Sequence, residues 1–433
     1  MNLKSILHLP LDIIQGKSLW KIRWCWIEQK LFLILTSSIF LQMPAALAQQ
    51  QEIPEKKLVM REIVTQESPF GTYGSFEKLL RAAEEGNADA QVQVSICYGK
   101  GNGVTRDYGK AFTWAMKSAE QGNAKGASIV ASCYLQGKGT RKDMPLAVEW
   151  LQKAARQGNA EAQNNLGAIY DYGVEGVPQD EKKAFFWFEK SANQDDPDAQ
   201  YNLGLMYYLG AEGVPQDEKK AFSWFEKSAN QGNRNAQYYM AACYSLGKGV
   251  KKDISQEFYW LKKSAEQGHP DAQDDLGALY GRDKDVQKVL NQSSTLVFEK
   301  TKDQIQELVQ KEYSQIDPEA QNKIEKMVYW SNKAAEQGIA RAQSNMGIFY
   351  ILGLGGLRMD TTKALEWWKK AAEQGDAEAQ YSLGGCYSGQ TLYFKDIPKD
   401  IQESRKWLQK AAEQGHERAK KFLERLNQEK DFP

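Results

Sequence analysis

The chain predicts an all-α fold, an α/α solenoid of eight helix-pair repeats with flanking half-repeats. Three observations carry that expectation. A phrase such as "NAEAQNNLGAIY" from Asn159, "DPDAQYNLGLMY" from Asp196 or "DAEAQYSLGGCY" from Asp376 recurs eight times. A second phrase follows each time after a Gly-containing turn, as in "KAFSWFEKSANQG", "KALEWWKKAAEQG" and "SRKWLQKAAEQG". Both phrases space their apolar residues at the helical period, so each unit buries its apolar face only against its neighbours.

In the first phrase, A-Q-x-x-L-G-x-[apolar]-Y, take the Ala as position i. The Leu at i+4, the apolar residue at i+7 and the Tyr at i+8 then share one helical face. Position i+5 is small: Gly167, Gly204, Gly277, Gly347 and Gly384, or Ser95, Ala131 and Ala241. A larger side chain there holds two helices apart. The second helix is announced by Asp107, Asp143, Asp180, Asp217, Asp253, Asp360 and Asp400, each able to cap the free N–H groups of a first turn. Seven residues after each Asp stands a Trp: Trp114, Trp150, Trp187, Trp224, Trp260, Trp367 and Trp407. Their regular recurrence beside Ala assigns these Trp residues, and the Tyr at i+8, to inter-helix core. "EQG" then ends the helix, with Gly122, Gly158, Gly268, Gly338, Gly375 and Gly415 as C-terminal caps and Asp195-Asp196-Pro197 replacing that cap once.

The repeats run 87–122, 123–158, 159–195, 196–232, 233–268, 269–338, 339–375 and 376–415. A lone second-helix phrase opens the array at Ser75. "HERAKKFLERL" from His416 closes it with charges where a middle repeat is apolar, which suits a terminal cap. The solenoid therefore covers 75–426, with 427–433 as a tail. One repeat carries a helical insertion at about 281–322. There Lys323 stands where the capping Asp belongs, so the second helix before Trp330 is expected to start earlier, at Asp317-Pro318-Glu319, and "TKDQIQELVQKEY" to form a helix of its own.

Composition bounds the function. Apolar residues make up 42% of the chain, with 12 Trp, 20 Tyr and 16 Phe, which is ample for a core. Net charge is zero, and residues 1–48 hold five cations against two anions, leaving the remainder at −3; no basic footprint points to nucleic acid. Residues 1–48 read as a signal peptide: a basic leader, the run "LFLILTSSIFL", then "ALA" with cleavage after Ala48, placing the protein in the periplasm or outside the cell. Contact with a membrane is expected only if that segment stays uncleaved. Residues 49–74 read as a linker. Cys97, Cys133, Cys243 and Cys386 share one apolar slot of the repeat with Ile169, Met206, Leu279 and Phe349, so free thiols are expected.

These motifs resemble the Sel-one-like repeat family, relatives of the tetratricopeptide repeats, over residues 75–426. The resemblance implies a right-handed superhelix of antiparallel helix pairs with the first helices lining its concave side. It also implies a non-enzymatic adaptor that binds a protein or peptide partner; exported bacterial members look like host-interaction or envelope proteins, and some are immunity proteins against secreted toxins. Several secreted relatives carry a disulfide within one repeat, a pattern this chain departs from with at most one Cys per repeat.

No catalytic, metal or cofactor site is read from the sequence. "YGKGNGV" at Tyr98–Val104 recurs as "LQGKGT" and "SLGKGV" between helices and is a turn, not a phosphate loop. Ser75 and Lys78 match S-x-x-K, which leaves a penicillin-binding hydrolase as a remote alternative, but no S-D-N or K-T-G follows and Ser75 suits a helix cap. The binding signal is sought in residues that vary between copies. With a core arc of about −20° to 140°, positions i+2, i+6, i+9 and i+10 point toward the groove. At i+2 stand Val92, Ser128, Asn164, Tyr201, Tyr238, Asp274, Ser344 and Tyr381; at i+9 Asp171, Tyr208 and Ser245; at i+10 Tyr172; and Tyr239 sits at the arc's edge. Tyr172, Tyr201, Tyr208, Tyr238, Tyr239 and Tyr381 are thus expected as contact residues, with Asn164, Asp171 and Asn202 supplying polar specificity. A scaffold in the bacterial envelope is the leading expectation and a periplasmic immunity protein the alternative.

Overall fold

A computed structural model describes residues 70–296, 311, 313, 315–389 and 397–428. The signal peptide, almost all of the linker, most of "TKDQIQELVQKEY" and most of the tail lie outside the described residues. Nineteen α-helices and no strand occur among the described residues, the only β-pairing being two isolated bridges, Val174 with Val177 and Ala211 with Val214, in inter-helix turns. The chain divides into two units, one ending at His269 and one beginning at Pro270.

In the N-terminal unit α1 (Phe76–Glu84) is the opening second-helix phrase. The pairs that follow are α2 (Ala88–Lys100) with α3 (Tyr108–Glu120), α4 (Ala124–Gln136) with α5 (Met144–Arg156), and α6 (Ala160–Tyr172) with α7 (Glu181–Ala192). They continue as α8 (Pro197–Leu209) with α9 (Glu218–Asn230) and α10 (Arg234–Leu246) with α11 (Ile254–Glu266). The C-terminal unit holds α12 (Pro270–Gly281), α13 (Lys284–Leu296) and α14 (Pro318–Glu336). After these come α15 (Ala340–Leu352), α16 (Thr361–Glu373), α17 (Ala377–Tyr387), α18 (Ile401–Glu413) and α19 (Glu417–Gln428). Within each unit a helix packs on the one before and the one after it, the arrangement of a solenoid.

The expected caps are present. Each announcing Asp accepts N–H bonds from the first turn it precedes, as Asp107 does from Lys110 at 2.9 Å and Asp360 from Lys363 at 2.9 Å. First helices are capped likewise by Asn87, Asn123, Asn159, Asp196, Asn233 and Asp376. Ser75 caps α1 by accepting from the Lys78 N–H, the structural role expected of it. Asp195, with φ 62°, takes the left-handed conformation that Gly supplies in the other copies. In the G-K-G turns the second glycine is obligatory: a Cβ on Gly139 or Gly249 would run into the carbonyl of Tyr108 or Glu218 at the start of the preceding helix.

The small slot at i+5 sets the closeness of each helix pair. A Cβ on Gly167 or Gly204 would stand 2.7 Å from the ring of Phe188 or Phe225, and Gly347 leaves the same room for Trp368. Those rings directly follow the Trp that recurs in the motif, and they are deeply buried: Phe188 2%, Phe225 0% and Trp368 5% exposed. The motif Trp itself corrects an expectation. Only Trp260 and Trp407 are buried; Trp114, Trp150, Trp187, Trp224, Trp330 and Trp367 are half-buried. The geometry explains it, because the Lys three residues on lies over the ring, 4.1 Å away at Trp114, 4.0 Å at Trp150, 4.1 Å at Trp224 and 4.3 Å at Trp367. The ring is thus a half-wet flank that its own helix covers with a cation. The Tyr at i+8 is also half-buried, edge-on to an aromatic of the preceding helix in pairs such as Phe112–Tyr134 and Phe185–Tyr207.

A polar ladder that the sequence reading missed runs through the core. In seven of the repeats the Gln at i+1 accepts from the Gln of the closing "QG" or "QD", the Gln121–Gln91, Gln194–Gln163 and Gln374–Gln343 bonds each measuring 2.7 Å. The same buried Gln donates back to the preceding second helix, Gln91 to the Ala83 carbonyl and Gln163 to that of Ala155, both at 3.0 Å. One side chain therefore joins three helices. The exception is repeat 123–158, where Ala127 replaces the Gln and Gln157 turns to the Lys153 carbonyl.

The insertion behaves as Lys323 implied. Helix α14 starts at Pro318 under an Asp317 cap, well over one turn early, and runs 19 residues where α16 runs 13. Lys323 pairs with Asp283 at 2.7 Å and Glu319 at 2.9 Å, while Val286, Val289 and Leu290 of α13 join Ile324, Met327 and Val328 in one core. Cys97, Cys133, Cys243 and Cys386 are all thiols rather than halves of a disulfide. Burial pushes the Cys133 thiol up to about 11 and the Cys243 thiol up to about 12, so neither is a reactive thiolate.

Candidate protein-binding surface

The variable stripe is far less open than a single helical wheel suggests. Tyr238 is 6% exposed and Tyr381 7%, so both are withdrawn as contact residues. Tyr238 stacks on His269 with ring centres 4.7 Å apart, and Tyr381 on His416 at 4.8 Å. Each His stands at the start of the next first helix. That supplies the physical reason: a first helix in a stacked array touches its own second helix, the previous one and the next first helix, which widens the buried arc past i+2. Val92, Ser128, Asp274 and Ser344 are buried in the same slot. Asn164 and Asp171, each 9% exposed, are also internal; Asn164 accepts from Asn202 Nδ2 at 3.0 Å.

What remains partly open is a cluster of rings. Tyr172, Tyr201, Tyr208 and Tyr239 are half-buried, as is Asn202. Tyr239 is their hub, 5.0 Å from Phe225 in a stacked pair, 5.7 Å from both Tyr201 and Tyr208, and 6.0 Å from Tyr238. Tyr201 and Tyr208 each lie 6.1 Å from Phe225, and Lys248 stands 4.3 Å over the Tyr208 ring. The cluster is built outward from the core: Gly204 admits Phe225, Phe225 supports Tyr239, and Tyr239 holds the two outer rings apart. Burial pushes the Tyr201 hydroxyl well above its ordinary range, with Tyr239 and Tyr172 adding to it, and pushes Tyr172 up to about 12. These phenols stay neutral donors at any physiological pH. The arrangement presents aromatic edges, phenol hydroxyls, an amide and a cation side by side. Among the described residues no group of His, Cys, Asp and Glu could hold a metal ion.

The comparisons with known proteins agree with this architecture. The model of the Sel1 repeat matches residues 88–123, 124–159, 160–196, 197–233, 234–269, 324–339, 340–376 and 377–416. Its shortened match at 324–339 falls where the insertion separates the two helices of one pair. A protective antigen present in uropathogenic Escherichia coli strains is 30% identical, over 82% of this chain and 75% of its own, with a TM-score of 0.49. A Sel1 repeat protein from Oxalobacter formigenes is 27% identical, over 88% of this chain and 99% of its own, with a TM-score of 0.51. An immunity protein from Pseudomonas aeruginosa is 22% identical, over 53% and 81%, with a TM-score of 0.33. No curated protein matches the chain.

Proposed function

Since the chain belongs to the Sel1 repeat family, we propose that it is a non-enzymatic scaffold whose partner protein docks on the half-open rings of α6, α8 and α10. The observation that carries this reading is the cluster itself. Tyr172, Tyr201, Tyr208 and Tyr239 stay half-exposed there, whereas at the slot of Tyr201 the other repeats bury their residue: Val92, Ser128, Asn164, Tyr238, Asp274, Ser344 and Tyr381. Tyr gives large contact area with little rotamer entropy to lose, and such residues dominate binding energy where they cluster. The site of action is the bacterial envelope or the exterior, a reading that rests on the signal pattern of residues 1–48. Among the described residues no helix is long and apolar enough to cross a membrane.

The test is capture from the cell's own envelope fraction by the tagged full-length protein and by its Tyr201→Ala and Tyr208→Ala variants, read by mass spectrometry and then by affinity. Each variant should weaken the captured partner by about 1 kcal/mol or more while helicity is unchanged. Equal affinity of both variants and the parent removes the ring cluster from the interface. A captured partner that proves to be a secreted antibacterial toxin makes the scaffold an immunity protein.

A further inference from the structure

A cavity of about 350 Å³ opens between α2 and α4, at the end where both helices meet the start of α3. It exists because Gly99 occupies the i+9 position that Tyr208 fills in the ring cluster; a Cβ there would meet only the Ala111 Cβ, at 3.9 Å. Its wall is cationic. Lys100, Arg106 and Lys138 line it, and no Asp or Glu does. Arg106 and Lys138 lie 5.5 Å and 5.6 Å from the Tyr108 ring centre, so one phenol ring gathers two cations at the cavity wall. Its floor is apolar, made of Ile96, Ile129 and Cys133. A cation-lined mouth over an aliphatic floor fits a carboxylate carried on a short hydrocarbon stem. We propose that this cavity takes a Glu side chain of the partner protein, a second anchor in the two repeats preceding the ring cluster. The inference rests on the partner being a protein, and it adds the acidic character of the segment that docks first along the array.

The experiment uses the full chain and a fluorescein-labelled decapeptide of alternating Leu and Glu, acetylated and amidated so that no terminal carboxylate is present, with the Leu–Gln peptide as control. Fluorescence anisotropy should show the Glu peptide binding about tenfold or more tighter, with the gap closing as salt rises. Gly99→Leu, which fills the cavity, and the double change Arg106→Gln with Lys138→Gln should each erase the preference without lowering the thermal unfolding midpoint. Tyr201→Ala should leave this short probe unaffected, which separates failure of the cavity from failure of the ring cluster. Equal binding of the two peptides, no binding of the Glu peptide to the parent, or an undiminished preference in Gly99→Leu overturns the assignment.

Discussion

At the same two positions of the first helix, one gap in each unit is closed with opposite chemistries, α8 to α10 and α12 to α15. In the N-terminal unit α8 carries Tyr201-Asn202 and α10 carries Tyr238-Tyr239, and the gap is filled by rings. In the C-terminal unit α12 carries Asp274-Asp275, and Arg341 of α15 reaches across to both carboxylates at 2.6 Å each. The difference teaches what the slot is for. It is primarily the seam between neighbouring repeats, and any binding surface there is made from whatever the seam leaves uncovered. Rings can seal a seam with one edge wet. The ion cluster seals its seam differently: both carboxylates are buried and each depends on the one guanidinium, which keeps its own edge in water.

Breaking the ionic seam should have the largest effect. Asp274 is 3% exposed at its side chain, and burial pushes its carboxyl up to about 6 against the pull of Arg341. Between about pH 4 and pH 6 the folded state therefore keeps a proton that the unfolded chain has lost. That contribution is present at low pH and fades as pH rises through 6. Arg341→Ala takes the guanidinium away from both carboxylates and should cost the C-terminal unit about 2–3 kcal/mol, discounted because Arg341 is itself 35% exposed. The loss should be greater at pH 8 than at pH 5 in urea unfolding. A pH-independent loss would mean that Arg341 contributes packing alone.

Removing the hub of the aromatic seam should cost somewhat less. Tyr239→Ala takes away a half-buried ring in contact with four others and should destabilise the N-terminal unit by about 2 kcal/mol, whereas Tyr239→Phe keeps the ring, loses the hydrogen bond with Tyr201 and should cost about 1 kcal/mol. The comparison fails if Tyr239→Ala is silent, since the rings would then be decoration on a seam held elsewhere.

Acid sharpens the contrast from the other side. His269, stacked under Tyr238, is held down to about 4 by burial and by Arg234. Between about pH 6.5 and pH 4 the unfolded state binds the proton that the folded state refuses, so the N-terminal unit loses stability as pH falls through that window. His416 stacks on Tyr381 in the same way but lies 3.1 Å from Glu378 and accepts the Ala419 N–H. His269→Gln should flatten the acid dependence of the N-terminal unit, measured by thermal melts at pH 7 and pH 4.5. An unchanged dependence would assign it to other groups. The smallest effect is expected at the cap where Asp195 replaces Gly: Asp195→Gly should raise stability by about 0.5 kcal/mol, since Gly takes the left-handed backbone without a Cβ penalty.

The fold was legible because each motif residue answers one local demand: Asp107 and its equivalents cap, Gly167 and Gly204 admit a ring, and Asp317-Pro318 announces the early start of α14. The surface was less legible because a helical wheel knows one helix at a time. Tyr238 and Tyr381 point away from their own second helix, as the wheel says, but onto the His that begins the next repeat. The Gln ladder was legible in principle. Gln at i+1 lies inside the apolar arc in seven copies, and a polar residue that recurs in a core position has a bonding partner there. The missing half of that signal was the Gln of the closing turn, read only as part of a cap.

The central claim is that the ring cluster of α6, α8 and α10 stays partly open while equivalent Tyr slots are sealed. Hydroxyl-radical footprinting of the free full-length protein, read residue by residue by mass spectrometry, measures this directly. Tyr201, Tyr208 and Tyr239 should be modified well above Tyr238 and Tyr381, and should become protected when the captured partner is added. Modification of Tyr238 as fast as Tyr208, or rings that the bound partner leaves as reactive as before, would contradict the account.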